Sequence, residues 1–219
     1  MEEEFWLERW DRQETGFHQR SVNAQLRSCW PEVGVAAGDP VFVPLCGKSG
    51  DMAWLHAHGH PVLGVELSPV AIAAFFSEHD LAPQRGKRGV FDVTESDGIR
   101  IFRGNFFDLT ADDLAGTKAV YDRAALVALP PDMRERYAAH MVEILPPGTR
   151  MLVVTLEYPQ VQMEGPPFSV PPTEVERLYG RYGDVRVLKR DDVLFKNQRF
   201  AERGVTSFHE CAVLVTLRT

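Results

Sequence analysis

The chain holds 219 residues, 44% hydrophobic and 25% charged, with 24 Lys and Arg against 31 Asp and Glu and a net charge of −7. That length suits one domain spanning residues 1–219, and that composition excludes a disordered or fibrous chain. The acidic balance leaves no electrostatic footprint for a phosphate backbone or an anionic membrane surface, so nucleic acid and membranes are poor partners.

From the N-terminus, Met1-Glu2-Glu3-Glu4 is acidic where a secretory signal would be basic and then apolar. Residues 3–28 read as helical, opening with Phe5, Trp6 and Trp10 and breaking near Gly16. A short apolar strand, Pro40-Val41-Phe42-Val43-Pro44-Leu45, ends in Cys46-Gly47-Lys48-Ser49-Gly50-Asp51. Met52 to His58 reads as helix, Val62 to Glu66 as a second strand, and Ser68-Pro69 as the cap and first turn of a helix through Phe76. Ile99 to Phe102 and Ala119 to Asp122 read as strands, Asp132 to Leu145 as helix, and Arg150 to Leu156 as a strongly β-forming run. Thr173 to Tyr182 is expected to be helix and Ala212 to Leu217 a last strand. Strands alternating with helices predict an α/β fold, a doubly wound, mostly parallel sheet with helices on both faces. No apolar run approaches the roughly 18 residues of a membrane span. Three scattered cysteines, Cys29, Cys46 and Cys211, form no CxxC pair and fit a reducing compartment. A cytoplasmic protein is expected.

In such a sheet ligands bind outside the carboxyl ends of the strands, where strand order reverses. The loop after the first core strand is therefore the place to look. Gly47 and Gly50 let a ligand approach the backbone, and the following helix offers free N–H groups. Glu66 lies nineteen residues beyond Gly47, at the end of the second strand. A carboxylate there suits the two ribose hydroxyls of a dinucleotide or an adenosyl ligand. Gly47-Lys48-Ser49 mimics the tail of a phosphate-binding P-loop, but that motif needs glycine where Phe42 stands. GxGxxG fails as well, since only a GxxG fragment is present. His56-Ala57-His58-Gly59-His60 invites a metal reading, yet Gly59 and Pro61 end any helix there, and no acid or cysteine completes the set. No metal is expected. Cys46 sits in the loop without a paired His and Asp, which argues against a covalent nucleophile.

Seven segments in one order, across nearly the whole chain, resemble the thiopurine S-methyltransferase family. They are Trp6-Leu7-Glu8-Arg9-Trp10, Thr15-Gly16-Phe17-His18-Gln19, Pro44-Leu45-Cys46-Gly47-Lys48-Ser49, Gly64-Val65-Glu66, Phe107-Asp108-Leu109, Asp122-Arg123-Ala124-Ala125-Leu126-Val127-Ala128 and Gly165-Pro166-Pro167-Phe168. The short extension before Trp6 is similar to that of compact bacterial members. The resemblance implies a Rossmann-like, seven-stranded methyltransferase fold and S-adenosylmethionine (SAM) as methyl donor. The acceptor it implies is a small thiol or a selenium or tellurium compound, as in detoxification, and the protein a monomer.

By motif position the resemblance places Trp6, Trp10, Phe17, Leu45, Glu66, Asn105, Phe106 and Arg123 at the cofactor. Asn105 and Phe106 would bracket the adenine, and aromatic faces would suit the sulfonium cation. Phe17 and Phe168 would meet the acceptor, while Arg123 and Arg199 would act as catalytic cations. Residues 1–30 would form a helical lid and 158–172, with five prolines, a cover over the substrate. The residues by themselves leave alternatives open. Trp6 and Trp10 at i, i+4 also read as a core-facing helical pair, Arg123 as a surface ion-pair partner, Asp51 as a helix cap, and the proline cluster as a rigid surface loop. Two rival functions share the sheet: an NAD-dependent oxidoreductase, which lacks its glycine-rich turn here, and a SAM-binding module without catalysis.

Overall fold

The computed structural model describes residues 3–16, 18–19 and 21–219. Two helices open it, α1 (Glu3–Asp11) and α2 (Ala24–Val33), followed by β1 (Val41–Val43), α3 (Gly50–Ala57), β2 (Val62–Glu66) and α4 (Pro69–Glu78). Then come β3 (Gln84–Arg88), β4 (Phe91–Ser96), β5 (Ile99–Arg103), α5 (Ala111–Leu114), β6 (Ala119–Arg123) and α6 (Pro131–Ile144). The chain closes with β7 (Arg150–Glu157), α7 (Pro172–Tyr179), β8 (Gly183–Asp192), α8 (Gln198–Ala201) and β9 (His209–Leu217).

All nine of these strands join one sheet in the order β3-β4-β5-β2-β1-β6-β7-β9-β8. Its centre is parallel: β1 pairs with β2 and β6, β2 with β5, and β6 with β7. Both margins are antiparallel. Side-chain alternation splits the core between the two faces. Phe42, Val65, Val120, Met151 and Val153 pack with Tyr137 and Met141 of α6 and Val175 of α7. Val41, Val43, Tyr121, Leu152 and Val154 pack with Leu26 of α2, Leu55 of α3 and Phe75 of α4. Strand order runs one way from β1 to β2 and the other way to β6, so the crevice at the carboxyl ends of β1 and β6 is the topological switch point.

The doubly wound sheet agrees with the sequence reading, with two differences in detail. The sheet has nine strands rather than seven, because the hairpin β3–β4 extends one edge. The single helical stretch 3–28 is two helices, and the second runs on through Pro31 to Val33. Asn23 caps that second helix, its side chain accepting the Gln25 and Leu26 amides. The histidine cluster disperses. His56 faces Asp97 at 3.4 Å, His58 stacks on Trp54, and His60 accepts the Trp30 indole N–H at 3.1 Å. Among the described residues no group of three or more His, Cys, Asp or Glu could hold a metal ion. No described helix is long and apolar enough to cross a membrane.

Candidate functional site

The loop after β1 is folded down onto the end of β2. Leu45 (φ +46°) and Gly47 (φ +53°) both take the left-handed conformation, which is costly for leucine and free for glycine. The Cys46 amide donates to the Val65 carbonyl at 3.0 Å. The Gly47 amide donates to Glu66 Oε2 at 2.8 Å, and the Ser68 amide to Glu66 Oε1 at 2.8 Å. A side chain at Gly64 would strike Cys46 Sγ at 2.7 Å, so glycine there lets the loop sit this low. Glu66 is only 8% exposed. Burial raises its carboxyl above the usual range, while the Ser68, Gly47 and Leu67 amides pull it back. Burial, and then Glu66, push the Cys46 thiol well up, which removes it as a nucleophile.

The N-terminal segment lies over this loop. Trp10 is 5% exposed, and a Cβ at Gly47 would stand 3.1 Å from its indole Cζ2. The Gly47 backbone therefore forms a shallow cradle under an aromatic ring. Glu3 of α1 accepts a hydrogen bond from Asn105 Nδ2 at 2.5 Å, which ties the helix to the loop after β5. Asn105 in turn accepts the Phe107 amide at 2.8 Å. Phe106 is buried, its ring turned inward against Tyr137 (4.6 Å between centroids). Trp6 is half-buried, edge-on to Phe5. Phe17 lies outside the described residues.

Arg123 is half-buried at the end of β6 and precedes Ala124, whose φ is +64°. His18 stands in the field of Lys48, Glu78, Arg123 and Asp51. Burial first, then the Lys48 cation, holds its imidazole below the ordinary value, opposed by Glu78. Asp51 is buried, and Ser49 rather than Asp51 caps α3. The Asp51 carboxylate accepts the Asn23 amide and the Tyr121 hydroxyl, each at 2.8 Å, and so anchors the N-terminal segment to β6. Sequence reasoning gave neither His18 nor this Asp51 link a role. The His18 signal was present, within Thr15-Gly16-Phe17-His18-Gln19.

The proline-rich segment packs beside the β6 end. The Phe168 amide donates to the Val127 carbonyl at 2.6 Å, and the Tyr158 hydroxyl to the Pro167 carbonyl at 2.6 Å. The Arg134 guanidinium lies 5.8 Å from the Phe168 ring centroid and pairs with Glu174 at 2.7 Å. Phe168, Arg134 and Glu174 line a cavity of about 480 Å³ together with Gln160 and Pro131. Arg199 is exposed and donates to the Gly16 carbonyl at 2.9 Å. The fold thus gathers Trp10, Leu45 and Glu66 around the β1 loop, while Arg199 meets the N-terminal segment and Phe168 the β6 turn.

The family model described as Thiopurine S-methyltransferase (TPMT) matches residues 1–218. A thiopurine S-methyltransferase of Nitrosospira multiformis is 52% identical over 219 residues, covering 100% of both chains. The chain belongs to the thiopurine S-methyltransferase family. A thiopurine S-methyltransferase of Pseudomonas fluorescens is 50% identical over 210 residues, covering 96% of each chain. Among solved structures, a Burkholderia thailandensis 1,6-didemethyltoxoflavin-N1-methyltransferase with S-adenosylhomocysteine aligns with a TM-score of 0.62 at 14% identity. That alignment covers 99% of this chain and 87% of the other. Haemonchus contortus phosphoethanolamine N-methyltransferase 2 aligns with a TM-score of 0.68 at 10% identity, over 89% of this chain and 52% of that one. These likenesses give the fold: a Rossmann-like SAM-dependent methyltransferase. The chain is a SAM-dependent S-methyltransferase of this family.

Proposed function

We propose that the protein transfers the methyl group of SAM to the sulfur of small aromatic or heterocyclic thiols, thiopurines among them. Selenium and tellurium compounds are the further acceptor class. The observation that carries the reading is the Gly47 loop pinned onto Glu66 at the switch point and covered by Trp10. The residues present fit SAM. Glycine at position 47 lets the Trp10 indole pack directly on the β1 loop, which brings the N-terminal segment over it. Glu66, held in place by backbone amides, would accept a ribose hydroxyl on the lone pairs they leave. By motif position Trp10, Trp6 and Phe17 would offer aromatic faces to a cation, Leu45 an apolar contact, and Asn105 with Phe106 a bracket for the adenine.

SAM supplies a methyl group on a sulfonium, already activated for in-line displacement. The chain's part is to align acceptor and donor and to exclude water. In this reading residues 1–30 close over the cofactor, while 158–172 cover the acceptor, with Phe17 and Phe168 against its ring. Arg123 and Arg199 would act as fixed cations that favour the thiolate over the thiol. A monomeric, cytoplasmic enzyme acting on small molecules is the accompanying proposal.

The test is methyl transfer from labelled SAM across aromatic thiols, selenite and tellurite, with calorimetry against SAM and NAD. Labelled thioether and micromolar-range SAM affinity without NAD affinity are expected. SAM binding with no transfer to any acceptor would leave the non-catalytic module standing.

A further inference from the structure

Asp51 is a buried carboxylate that methyl transfer, as described so far, does not use. It stands in the first turn of α3, two residues past Ser49, the cap that closes the Gly47 loop. Its two oxygens hold different parts of the molecule. Oδ1 accepts the Asn23 amide and Oδ2 the Tyr121 hydroxyl, both at 2.8 Å. Tyr121 lies two residues before Arg123 on β6, so the two share one face of the strand. Asn23 is itself buried and opens α2, its Oδ1 accepting the Gln25 and Leu26 amides. Its Nδ2 donates to Glu210 Oε1 of β9 at 2.9 Å and to Gln19 Oε1 at 3.2 Å. Past Asn23 the chain belongs to the core. Leu26, Cys29, Trp30 and Val33 of α2 are buried with side chains of β1, β7 and β9, and Arg150 of β7 donates to the Val33 carbonyl at 2.7 Å. Before Asn23 the picture changes: of the residues of α1, Trp10 alone is buried.

We propose that Asp51 is the fixed point from which the N-terminal lid closes: a positioning residue that ends the moving segment at Asn23 and ties it to the cofactor loop and to β6. The inference rests on the reading that the N-terminal segment closes over SAM, and it narrows the moving part of residues 1–30 to those before Asn23. A segment that closes on a ligand needs one end that stays put, because a floating end carries conformational entropy that closure must then remove. A main-chain amide donating to a buried carboxylate is such an end, since neither group has water as an alternative partner. What the anchor takes from Asp51 is two partners held in place. Asparagine at 51 can keep both links, its oxygen taking the Asn23 amide and its Nδ2 donating to a Tyr121 hydroxyl turned about its C–O bond. Alanine keeps neither.

The experiment measures amide hydrogen exchange with and without SAM, SAM affinity by calorimetry, and kcat and KM for SAM with an aromatic thiol, all on the full chain. In wild type SAM should slow exchange in residues 5–22 and leave the already protected α2 unchanged. Without ligand, Asp51→Ala should speed exchange of residues 12–23 about tenfold. It should weaken SAM about tenfold, and raise the KM for SAM by more than it lowers kcat. Asp51→Asn should return SAM affinity to within about threefold of wild type. Should Asp51→Ala misfold, the link can be cut from its other side. Asn23 has φ −59° and ψ 134°, which proline adopts, so Asn23→Pro deletes the amide donor. Asn23→Ala loses the same side chain but keeps the amide, and Asn23→Pro should bind SAM about fivefold more weakly than that control. Wild-type affinity and exchange in Asp51→Ala, or equal affinity in the two Asn23 variants, would overturn the proposal. So would α2 gaining protection from SAM along with residues 5–22, or Asp51→Asn binding as weakly as Asp51→Ala. If SAM slows exchange nowhere in residues 5–22 of wild type, it is the lid reading that fails, and the ligand-free exchange of residues 12–23 still judges the anchor.

Discussion

Glu66 and Asp122 stand at the carboxyl ends of β2 and β6, the two strands flanking β1, and each is a buried carboxylate, Glu66 held by backbone amides and Asp122 by the Tyr137 hydroxyl. They differ in the face they take. Glu66 follows Val62 and Gly64 onto the α3 side, where its amide partners come from the β1 loop and from the start of α4. Asp122 follows Val120 onto the α6 side, where it accepts the Tyr137 hydroxyl of the helix layer. The first ties the β1 loop to the start of α4. The second ties the end of β6 to α6. Strand parity decides which carboxylate can meet a ligand and which can only position its neighbours.

The largest effect that sharpens this contrast is on stability. The Asp122 carboxyl is raised from its ordinary 3.8 to about 6 in the folded chain, so the folded state keeps a proton that the unfolded state releases between those values. Its contribution is full below about pH 4 and is lost as pH rises through 6, roughly 3 kcal/mol over that interval. Urea unfolding of wild type and Asp122→Asn across pH 4–7 should show the difference in stability changing by that order, with wild type losing ground as pH rises. A constant difference would mean that the carboxyl is not raised.

Next in size is Glu66→Ala, which should weaken SAM binding by about 1–3 kcal/mol through lost charged hydrogen bonds and a freed β1 loop. Arg123→Ala tests the β6 end chemically. It should cost most kcat/KM for thiols still protonated at the assay pH, and raising the pH should recover part of that loss; Arg123→Lys should retain more. Equal losses for two thiols of different acidity at every pH would reduce Arg123 to a ligand-positioning group. The smallest effect belongs to Arg199, whose one described hydrogen bond reaches the Gly16 carbonyl from an exposed position. Arg199→Ala should speed amide exchange in residues 12–19 by a few-fold, about 1 kcal/mol or less, and leave the sheet untouched.

The central strands were legible because β1, β2, β6 and β7 are apolar runs bounded by turn residues. The edges were not. Gln84-Arg85-Gly86-Lys87-Arg88 is exposed throughout, and β8 carries six charged residues among its ten, so neither shows an alternating apolar face. The Gly47–Glu66 relation was readable from spacing, since both lie on one strand–helix–strand unit. Trp10 over Gly47 was suggested only by motif resemblance, because no periodicity links a helix to a loop 37 residues away. The inward turn of Phe106 was hidden, as a three-residue 3-10 turn has no repeat from which to read a face. Asp122 sat in view beside Arg123, but its partner Tyr137 lies fifteen residues on, across a turn and onto another helix.

The division of labour between the two carboxylates comes down to one calorimetric comparison: SAM titrated into wild type, Glu66→Ala and Asp122→Asn at pH 7.5. Loss of at least about fivefold in affinity for Glu66→Ala is predicted, about 1 kcal/mol or more, with Asp122→Asn binding as wild type. Unchanged affinity in Glu66→Ala, or an equal loss in both variants, would contradict the account.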